Sequence, residues 1–275
     1  MILVTGATGN VGAEVVAAAL SRSEPVRALV RAPKDASIPA GAEHAEGDLN
    51  DAETFEAAFE NITSVFLLAG YDTDGVLKQA ERAGVRRIVL LSAGAVEGGD
   101  PDNAVVAFNA ASESAVQHSK LDWTILRPSG YMSNALRWIP QLRDGDTVEG
   151  PFGGVPVACI DPADIGAVAV RALTEAQHIG QTYRLTGPTP LVPAEQVATL
   201  ARVLRRPLRF QAQTDDAGYA DMLTSMPRAY ADAFRSFFVE GTYNDAHVRP
   251  TVHDITGHEP RTFDDWAVAH ATEFN

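Results

Sequence analysis

Cysteine, lysine and long apolar runs are all scarce in this sequence of 275 residues. Its single thiol, Cys159, excludes an internal disulfide bond and any metal cluster built on cysteine. No apolar run approaches the roughly 18 residues of a membrane-spanning helix, and no signal-peptide pattern follows Met1. We therefore expect a cytoplasmic protein without a membrane partner.

Basic side chains are also few. The 22 Lys and Arg residues face 36 Asp and Glu residues, so the formal net charge is −14. Nonspecific binding to nucleic acid depends on cations that neutralise phosphates, so we expect no nucleic-acid partner. The histidines show no metal-ligand spacing, and we expect no bound metal. Nothing in the sequence decides between a monomer and a homodimer.

The residues that are present alternate between short apolar runs and helical stretches, which is typical of βαβ units and a parallel sheet. The predicted strands cover residues 2–5, 26–30, 43–46, 65–68, 88–91, 123–126, 155–159 and 182–185. The predicted helices cover residues 11–20, 51–60, 73–83, 103–119 and 162–174. Asn50 and Asp161 are the predicted caps of the second and the last of these helices. From Pro193 onward the pattern is mostly helical and ends in an amphipathic stretch over residues 263–274.

These elements predict an α/β protein with a doubly wound parallel-sheet Rossmann fold, formed by residues 1–128 and about 155–190. Residues 129–154 contain several glycines and prolines and are predicted to be irregular. Together with residues 191–275, they are expected to form a smaller, mostly helical lobe that binds the substrate.

A glycine-rich turn joins the first strand to the first helix and reads Gly6-Ala7-Thr8-Gly9-Asn10-Val11-Gly12. Gly6 permits a tight turn, Gly9 lets the backbone approach a pyrophosphate, and Gly12 lets the helix pack closely on the strand. The free N–H groups at the start of the helix attract the anion. The predicted dinucleotide contacts are Gly6, Thr8, Gly9, Asn10, Val11 and Gly12. The alternative is that these glycines only form a tight corner.

The end of the second strand bears on the choice of dinucleotide. A site for NAD(H) carries Asp or Glu there, whereas this strand ends in Arg31, with Lys34 close behind. A guanidinium suits the geometry of a 2′-phosphate, so we predict a preference for NADP(H). Asp35 leaves NAD(H) open, and the alternative for Arg31 is a solvated surface residue. Asp48 and Leu49 are predicted to flank the adenine, unless Asp48 instead helps to cap the next helix.

The proton-donating pair Tyr-x-x-x-Lys is absent. The chain has only three lysines, Lys34, Lys78 and Lys120. The residues four positions earlier are Val30, Asp74 and Val116. In reductases that use the pair, lysine lowers the pKa of the tyrosine, and the tyrosine protonates the carbonyl oxygen of the substrate. This chain cannot use that chemistry.

Several further motifs are spread over the chain. They are Glu113, Leu126-Arg127-Pro128, Tyr131-Met132-Ser133-Asn134, residues 161–165, residues 183–188 and residues 256–263. Together with the Gly-x-x-Gly-x-x-Gly spacing of the turn, they resemble the NmrA-like family of atypical extended short-chain dehydrogenases/reductases. That family includes quinone and triphenylmethane-dye reductases as well as redox-sensing regulators. The resemblance therefore implies an NAD(P)H-dependent oxidoreductase or a sensor.

In the register that the resemblance implies, Asn109 stands at the family's lysine position and Val105 at its tyrosine position. This departure argues against strong acid–base catalysis and favours an acceptor that needs no protonated side chain. We therefore predict hydride transfer to a quinone-like or polycyclic aromatic carbonyl, with oxygen-dependent hydroxylation of the reduced product as a variant. The alternative is a non-catalytic dinucleotide sensor with a protein partner. A nucleotide-sugar epimerase is disfavoured because it depends on the missing pair.

Open α/β sheets bind ligands at the carboxyl ends of their strands. The predicted cofactor contacts there are Ala69, Ser92 and Pro128, and the predicted substrate contacts are Tyr71, Phe108, Tyr131, Met132 and Asn134. The candidate catalytic residues are Asn109, Tyr131 and Ser92, with ordinary packing or turn roles as the alternatives. A stretch with partly helical spacing contains Met222, Met226, Tyr230, Phe234, Phe237 and Phe238. Its spacing favours ordinary core over a substrate cleft.

Overall fold

The computed structural model describes residues 1–32 and 38–274 of the chain. Lys34 and Asp35, which bear on the predicted choice between NADP(H) and NAD(H), lie outside the described residues. None of the helices in these two ranges combines the length and the apolar character that a bilayer crossing requires.

A parallel sheet forms the centre of the molecule. In the described ranges its seven strands are β1 (Ile2–Val4), β2 (Val26–Val30), β3 (Glu43–Glu46), β4 (Ser64–Leu68), β5 (Arg87–Leu91), β6 (Asp122–Pro128) and β8 (Gln181–Leu185). Their order is β3-β2-β1-β4-β5-β6-β8, and every neighbouring pair is parallel. A second sheet pairs β7 (Thr147–Gly150) with β9 (Arg209–Ala212). Because the strand order reverses between β1 and β4, a crevice opens at the carboxyl ends of these strands.

Helices connect the strands and cover the sheet. They are α1 (Asn10–Ser21), α2 (Thr73–Arg82), α3 (Ala104–His118), α4 (Ile139–Asp144), α5 (Pro162–Thr174), α6 (Pro193–Leu204), α7 (Asp215–Ser225), α8 (Arg228–Phe238), α9 (Thr251–Thr256) and α10 (Phe263–Ala269). Shorter 3-10 helices cover Ala52–Phe59, Gly94–Val96, Met132–Trp138, Ala176–His178 and Ala271–Phe274. The predicted doubly wound α/β fold is confirmed.

The two faces of the sheet are buried by different helices. Side chains alternate along each strand, so Val4 and Phe66 belong to one apolar cluster, and Leu3 and Val65 belong to the other. Apolar side chains of α1 and α5 pack into the first cluster, and those of α2 and α3 pack into the second. Because both faces are covered, these strands read as continuous apolar runs in the sequence.

A third apolar cluster is separate from these two and includes Met132, Val148, Leu200 and Trp266. These residues come from segments that the sequence assigns to the smaller lobe. In contrast, α9 from the same predicted lobe packs against α5, and its Val252 belongs to a core cluster of the sheet. The division of the chain into a Rossmann part and a smaller lobe stays a prediction.

The segment 129–154 is not irregular, so that prediction is wrong. It contains the 3-10 helix Met132–Trp138, followed by α4 and β7. Pro140 suggests a helix breaker, but it lies in the first turn of α4, where its missing N–H loses no helical hydrogen bond. The strand β7 pairs with β9, which lies far along the chain, so no local pattern predicts it.

The strand predicted over residues 155–159 is also absent from the described structure, where Val157 makes one isolated bridge with Leu191. Pro156 has no N–H to donate to a ladder, which explains why the pairing does not extend. By contrast, the predicted cap of α5 is confirmed, because the Asp161 side chain accepts a hydrogen bond from the N–H of Ala163 at 2.9 Å.

The helix predicted over residues 51–60 is the 3-10 helix Ala52–Phe59, and Asn50 does not cap it. The cap is Asp51, whose Oδ1 accepts a hydrogen bond from the N–H of Glu53 at 3.1 Å. Asn50 instead donates from its backbone N and from Nδ2 to Oδ1 of Asp48, both at 3.0 Å. The neighbouring carboxylate therefore holds Asn50 away from the start of the helix.

Candidate active site

The glycine-rich turn leads from β1 directly into α1. Gly6 has a φ of +60°, and its carbonyl accepts a hydrogen bond from the N–H of Gly9 at 2.9 Å. The strand end before it is fixed by Thr5, whose hydroxyl donates to the carbonyl of Phe66 at 3.0 Å. A Cβ on Gly12 would overlap the carbonyl group of Gly6. Glycine at this position is therefore required for the close approach of helix and turn.

The first turn of α1 leaves backbone donors free for a ligand. Its N-cap is Gly9, no side chain of the described residues caps it, and its first turn holds no acidic residue. Thr8, Gly9 and Asn10 are exposed, whereas Val11 and Gly12 are buried. Free N–H groups at the positive end of a helix dipole suit a pyrophosphate. The residues of this turn therefore fit a dinucleotide.

Arg31 lies directly after β2 and is exposed. It makes no hydrogen bond or ion pair with another residue in the ranges 1–32 and 38–274. The pKa of Asp48 is lowered by hydrogen bonds from Asn50 and, to a smaller extent, by the charge of Arg31. Leu49 beside it is buried in the second core cluster. The structure thus brings Arg31 and Asp48 near each other, and no hydrogen bond or ion pair within residues 1–32 and 38–274 holds the guanidinium.

A cavity of about 570 Å³ opens at the carboxyl ends of β5 and β6, and we call it the first cavity. The predicted site residues that line it are Asn10, Ser92, Pro128, Tyr131 and Asn134. A second cavity of about 610 Å³ adjoins it and shares Tyr131 and Asn134 with it. The structure therefore joins the start of α1 to the ends of two strands around one space, as expected for an open α/β sheet.

The far wall of the first cavity is apolar and comes from α7, α8 and the turn between them. Its residues are Met222, Met226, Phe234, Phe237 and Phe238. The predicted core role holds for Phe237, which is buried in a small apolar cluster with Phe234 and Phe238 packed against it, and Met222 is buried as well. The same residues also face the open cavity, because helical spacing predicts an apolar face but not whether a cavity lies against it. Tyr230, the sixth residue of the stretch, packs edge-on against Phe108 with ring centroids 6.4 Å apart.

Ser92 is positioned by a buried charged cluster. Its hydroxyl donates to Oε1 of Glu113 at 2.5 Å. Arg127 holds the same carboxylate, with Nε 2.9 Å from Oε1 and Nη2 2.6 Å from Oε2, and this pairing raises the pKa of the guanidinium. Because the proton of Ser92 is directed to Glu113, its hydroxyl oxygen is left to accept a hydrogen bond from a ligand in the first cavity.

A second buried cluster is one that sequence reasoning missed. Asp245 accepts hydrogen bonds from Oγ of Ser129 at 2.6 Å, from N of Gly130 at 3.0 Å and from the hydroxyl of Tyr243 at 2.9 Å. It also forms an ion pair with Arg184. Apart from Arg184, these residues line the first cavity. Asp245 follows Ser129 by 116 residues and lies outside any helix or strand, so no local sequence motif predicts the contact between them.

The two phenols in the wall of the first cavity are weak acids. Burial raises the pKa of Tyr131 to about 12. Burial and the negative charge of Asp245 both raise the pKa of Tyr243. Among the lining residues that the structure describes, there is no lysine or histidine. Both phenols therefore stay protonated at neutral pH, and neither has a lysine or histidine of the described wall beside it to lower its pKa and make it a ready general acid.

Several predicted site residues lie outside the wall of the first cavity. Asn109 donates from Nδ2 to a carbonyl one turn earlier on its own helix, at 2.8 Å. Phe108 lies over the backbone after β4, and Tyr71 in that same segment is 53% exposed. Ala69 and Met132 are buried, the latter in the third apolar cluster. The predicted roles of these five residues stay predictions.

Comparison with known proteins assigns the chain to a family. Residues 6–176, more than half of the chain, match a family model described as NAD(P)H-binding. The chain belongs to the NAD(P)H-binding family. The predicted NAD(P)-binding relationship is confirmed, and so is the prediction of an NAD(P)H-dependent oxidoreductase.

The sequences of two similar proteins align with this reductase over its whole given length. A (4-alkanoyl-5-oxo-2,5-dihydrofuran-3-yl)methyl phosphate reductase of Streptomyces griseus subsp. griseus is 40% identical over 280 residues, which cover 100% of this chain and 99% of the relative. An NAD(P)H azoreductase of Xenophilus azovorans is 35% identical over 284 residues, with coverage of 100% and 99%. The fold matches an NADPH-dependent quinone oxidoreductase of Escherichia coli in complex with NADPH, at a TM-score of 0.80 and 23% identity. That match covers 99% of this chain and 100% of the other.

Proposed function

We propose that this reductase passes hydride from NADPH to an electron-poor conjugated carbonyl compound, such as a quinone or an unsaturated lactone. One observation carries the proposal: the first cavity is large and aromatic, yet its described wall holds no lysine or histidine that would make one of its phenols a ready general acid. An unactivated ketone needs such an acid, which is worth about 10²–10⁴-fold in rate. A conjugated acceptor does not need it, because its reduced form is a stabilised anion that water can protonate.

The chain's own residues suit such an acceptor. Phe234 and Phe238 give the cavity wall an aromatic character that suits a flat ring, and Met226 adds an adaptable contact to the same wall. Tyr131 keeps its proton at neutral pH, so its hydroxyl can donate a hydrogen bond to a carbonyl oxygen without transferring the proton. Ser92 can accept a hydrogen bond from the cofactor or the substrate. These groups orient the acceptor and leave the hydride chemistry to the cofactor.

We also propose NADPH as the preferred form of the cofactor. Arg31 supports this choice, because its guanidinium is exposed, has no partner in the described part of the chain and follows β2 directly. That position faces the ribose of a dinucleotide in this fold, and a planar guanidinium matches the oxygens of a 2′-phosphate.

The names of the relatives are consistent with a conjugated acceptor. The compound in the name of the Streptomyces griseus relative is a dihydrofuranone with an alkanoyl group and a phosphate group. The name of the Xenophilus azovorans relative refers to an azo compound, which is also conjugated. We infer that the acceptor of this chain belongs to the same broad class of conjugated electrophiles.

The test is turnover of a panel of quinones and one unactivated ketone under nitrogen, followed through the absorbance of NADPH and corrected for the reaction without protein. We expect turnover of the quinones alone, at a rate that is flat between about pH 6 and pH 8, because the buried phenol of Tyr131 titrates well above this range and the described wall holds no histidine. Tight NADPH binding without turnover of any acceptor would contradict the proposal and favour a sensor. The same assay in air tests whether oxygen hydroxylates the reduced product.

A further inference from the structure

Arg137 has no role in the hydride transfer proposed above. It lies in the last turn of the 3-10 helix Met132–Trp138 and lines both the first and the second cavity. Its side chain is exposed and makes no hydrogen bond or ion pair within the described residues. Some arginines of the chain pair with a carboxylate, as Arg206 does with Asp146 at 2.7 Å. Arg137 thus presents an unpaired positive charge where the two cavities meet.

The acidic side chains of the cavity walls already have partners. In the first cavity, Asp245 forms an ion pair with Arg184. In the second, Glu149 and Asp221 each accept a hydrogen bond from an uncharged glutamine amide, at 3.0 and 2.5 Å, and neither forms an ion pair with Arg137. Among the described residues that line either cavity, Arg137 is the one cation. Since none of these three carboxylates holds it, the N–H groups of its guanidinium are available to a ligand.

The net charge of the chain determines which ligands need the positive charge of Arg137. A charge of −14 repels anionic ligands at long range, so an anionic substrate needs a local cation in order to bind. A neutral quinone needs none. The planar N–H fork of a guanidinium matches two oxygens of a phosphate or a sulfonate, which a carboxamide or an ammonium group does less well.

We propose that Arg137 binds a phosphate or sulfonate group carried by the substrate. The conjugated ring then lies in the first cavity, against Phe238 and beside Tyr131, and the anionic group lies where the two cavities meet. This inference rests on the proposed function and narrows its substrates to conjugated carbonyl compounds that carry an anionic substituent.

The test compares naphthoquinone with its monosulfonate as substrates of the wild type and of Arg137→Gln. We expect the ratio of kcat/KM for the sulfonate to that for the neutral quinone to fall about tenfold in Arg137→Gln, mainly through KM. Arg137→Lys should restore part of the ratio, because it keeps the charge but not the fork. Arg143→Gln is the matched control, since it removes the same charge from an exposed position of α4 outside both cavities. Its ratio should stay within about twofold of the wild type.

A ratio in Arg137→Gln equal to that of the wild type overturns the inference. A rise in the KM of NADPH with an unchanged ratio also overturns it, since Arg137 would then serve the cofactor. If no quinone turns over, the proposed function fails, and calorimetric binding of naphthalene sulfonate to the NADP⁺-saturated protein decides the inference separately. Binding that Arg137→Gln weakens about tenfold supports it, and equal binding overturns it.

Discussion

The hydroxyl of Ser92 donates a hydrogen bond to Glu113 at 2.5 Å, and Arg127 holds both oxygens of the same carboxylate. Glu113 is 4% exposed, so its charge is removed from water and depends on these partners. The cluster ties α3 to the ends of β5 and β6, which are the strands that border the first cavity. Its integrity therefore affects both the stability of the fold and the position of Ser92.

Glu113→Gln is expected to lower the free energy of unfolding by about 3 kcal/mol, because Arg127 loses its counter-ion in a half-buried site. Ser92→Ala removes one neutral donor and leaves the ion pair in place, so its cost should be only about 1 kcal/mol. Urea denaturation followed by circular dichroism measures both values. Equal losses in the two variants would show that the ion pair does not dominate the cluster.

Gly12→Ala is expected to weaken NADPH binding at least about tenfold, because the new methyl group overlaps the carbonyl of Gly6 and the turn must open. A fluorescence titration with NADPH measures the Kd. Gly154→Ala is the matched control, since Gly154 is exposed and a Cβ there meets open space. The steric argument fails if both variants bind NADPH as the wild type does.

Arg31→Gln is expected to raise the KM of NADPH about tenfold or more and to leave that of NADH nearly unchanged, because only NADPH carries the 2′-phosphate. Steady-state kinetics with each cofactor at saturating quinone measure the two constants. Arg86→Gln is the control, since Arg86 is also exposed and unpaired within the described residues. It precedes β5 and so lies at the amino ends of the strands, away from Arg31 at the carboxyl end of β2. A preference of the wild type for NADH would contradict the assignment of Arg31 to the 2′-phosphate of NADPH.

Asp164 should make stability depend on pH. Burial raises its pKa from 3.8 to about 6, so the folded state holds the proton more tightly than the unfolded state. Stability should therefore fall by about 3 kcal/mol as the pH rises from about 4 to about 6, and this part stays lost at neutral pH. Asp164→Asn should remove this dependence while its side-chain oxygen still accepts the hydrogen bond from the N–H of Arg261.

Urea denaturation at about pH 4.5 and pH 7 measures the free energy of unfolding at each pH, and the slope between the two values gives the pH dependence of stability. Asp144→Asn, at an exposed position, is the control and should keep the slope of the wild type. If Asp164→Asn also keeps that slope, another group is responsible for it.

Much of the fold can be predicted from the sequence because its determinants are local. The run Val65-Phe66-Leu67-Leu68 is apolar at every position since helices cover both faces of the sheet, and the turn from Gly6 to Gly12 needs small residues for steric reasons. The prediction for residues 129–154 failed where pairing is not local, because β7 depends on a strand that forms far along the chain. The assignment of Asn50 as a cap failed because Asp48 competes for it.

By itself, the sequence determined the seven strands of the parallel sheet, the dinucleotide turn and the absence of a tyrosine–lysine pair. Each of these depends on residue types at short spacing. Only the tertiary structure decided that Asp245 meets Ser129, that α7 and α8 face a cavity, and that Arg137 lies unpaired within the described residues where two cavities adjoin. Those relationships join segments far apart in the chain, and the distance between such segments is set by the packing of the whole fold rather than by any local pattern.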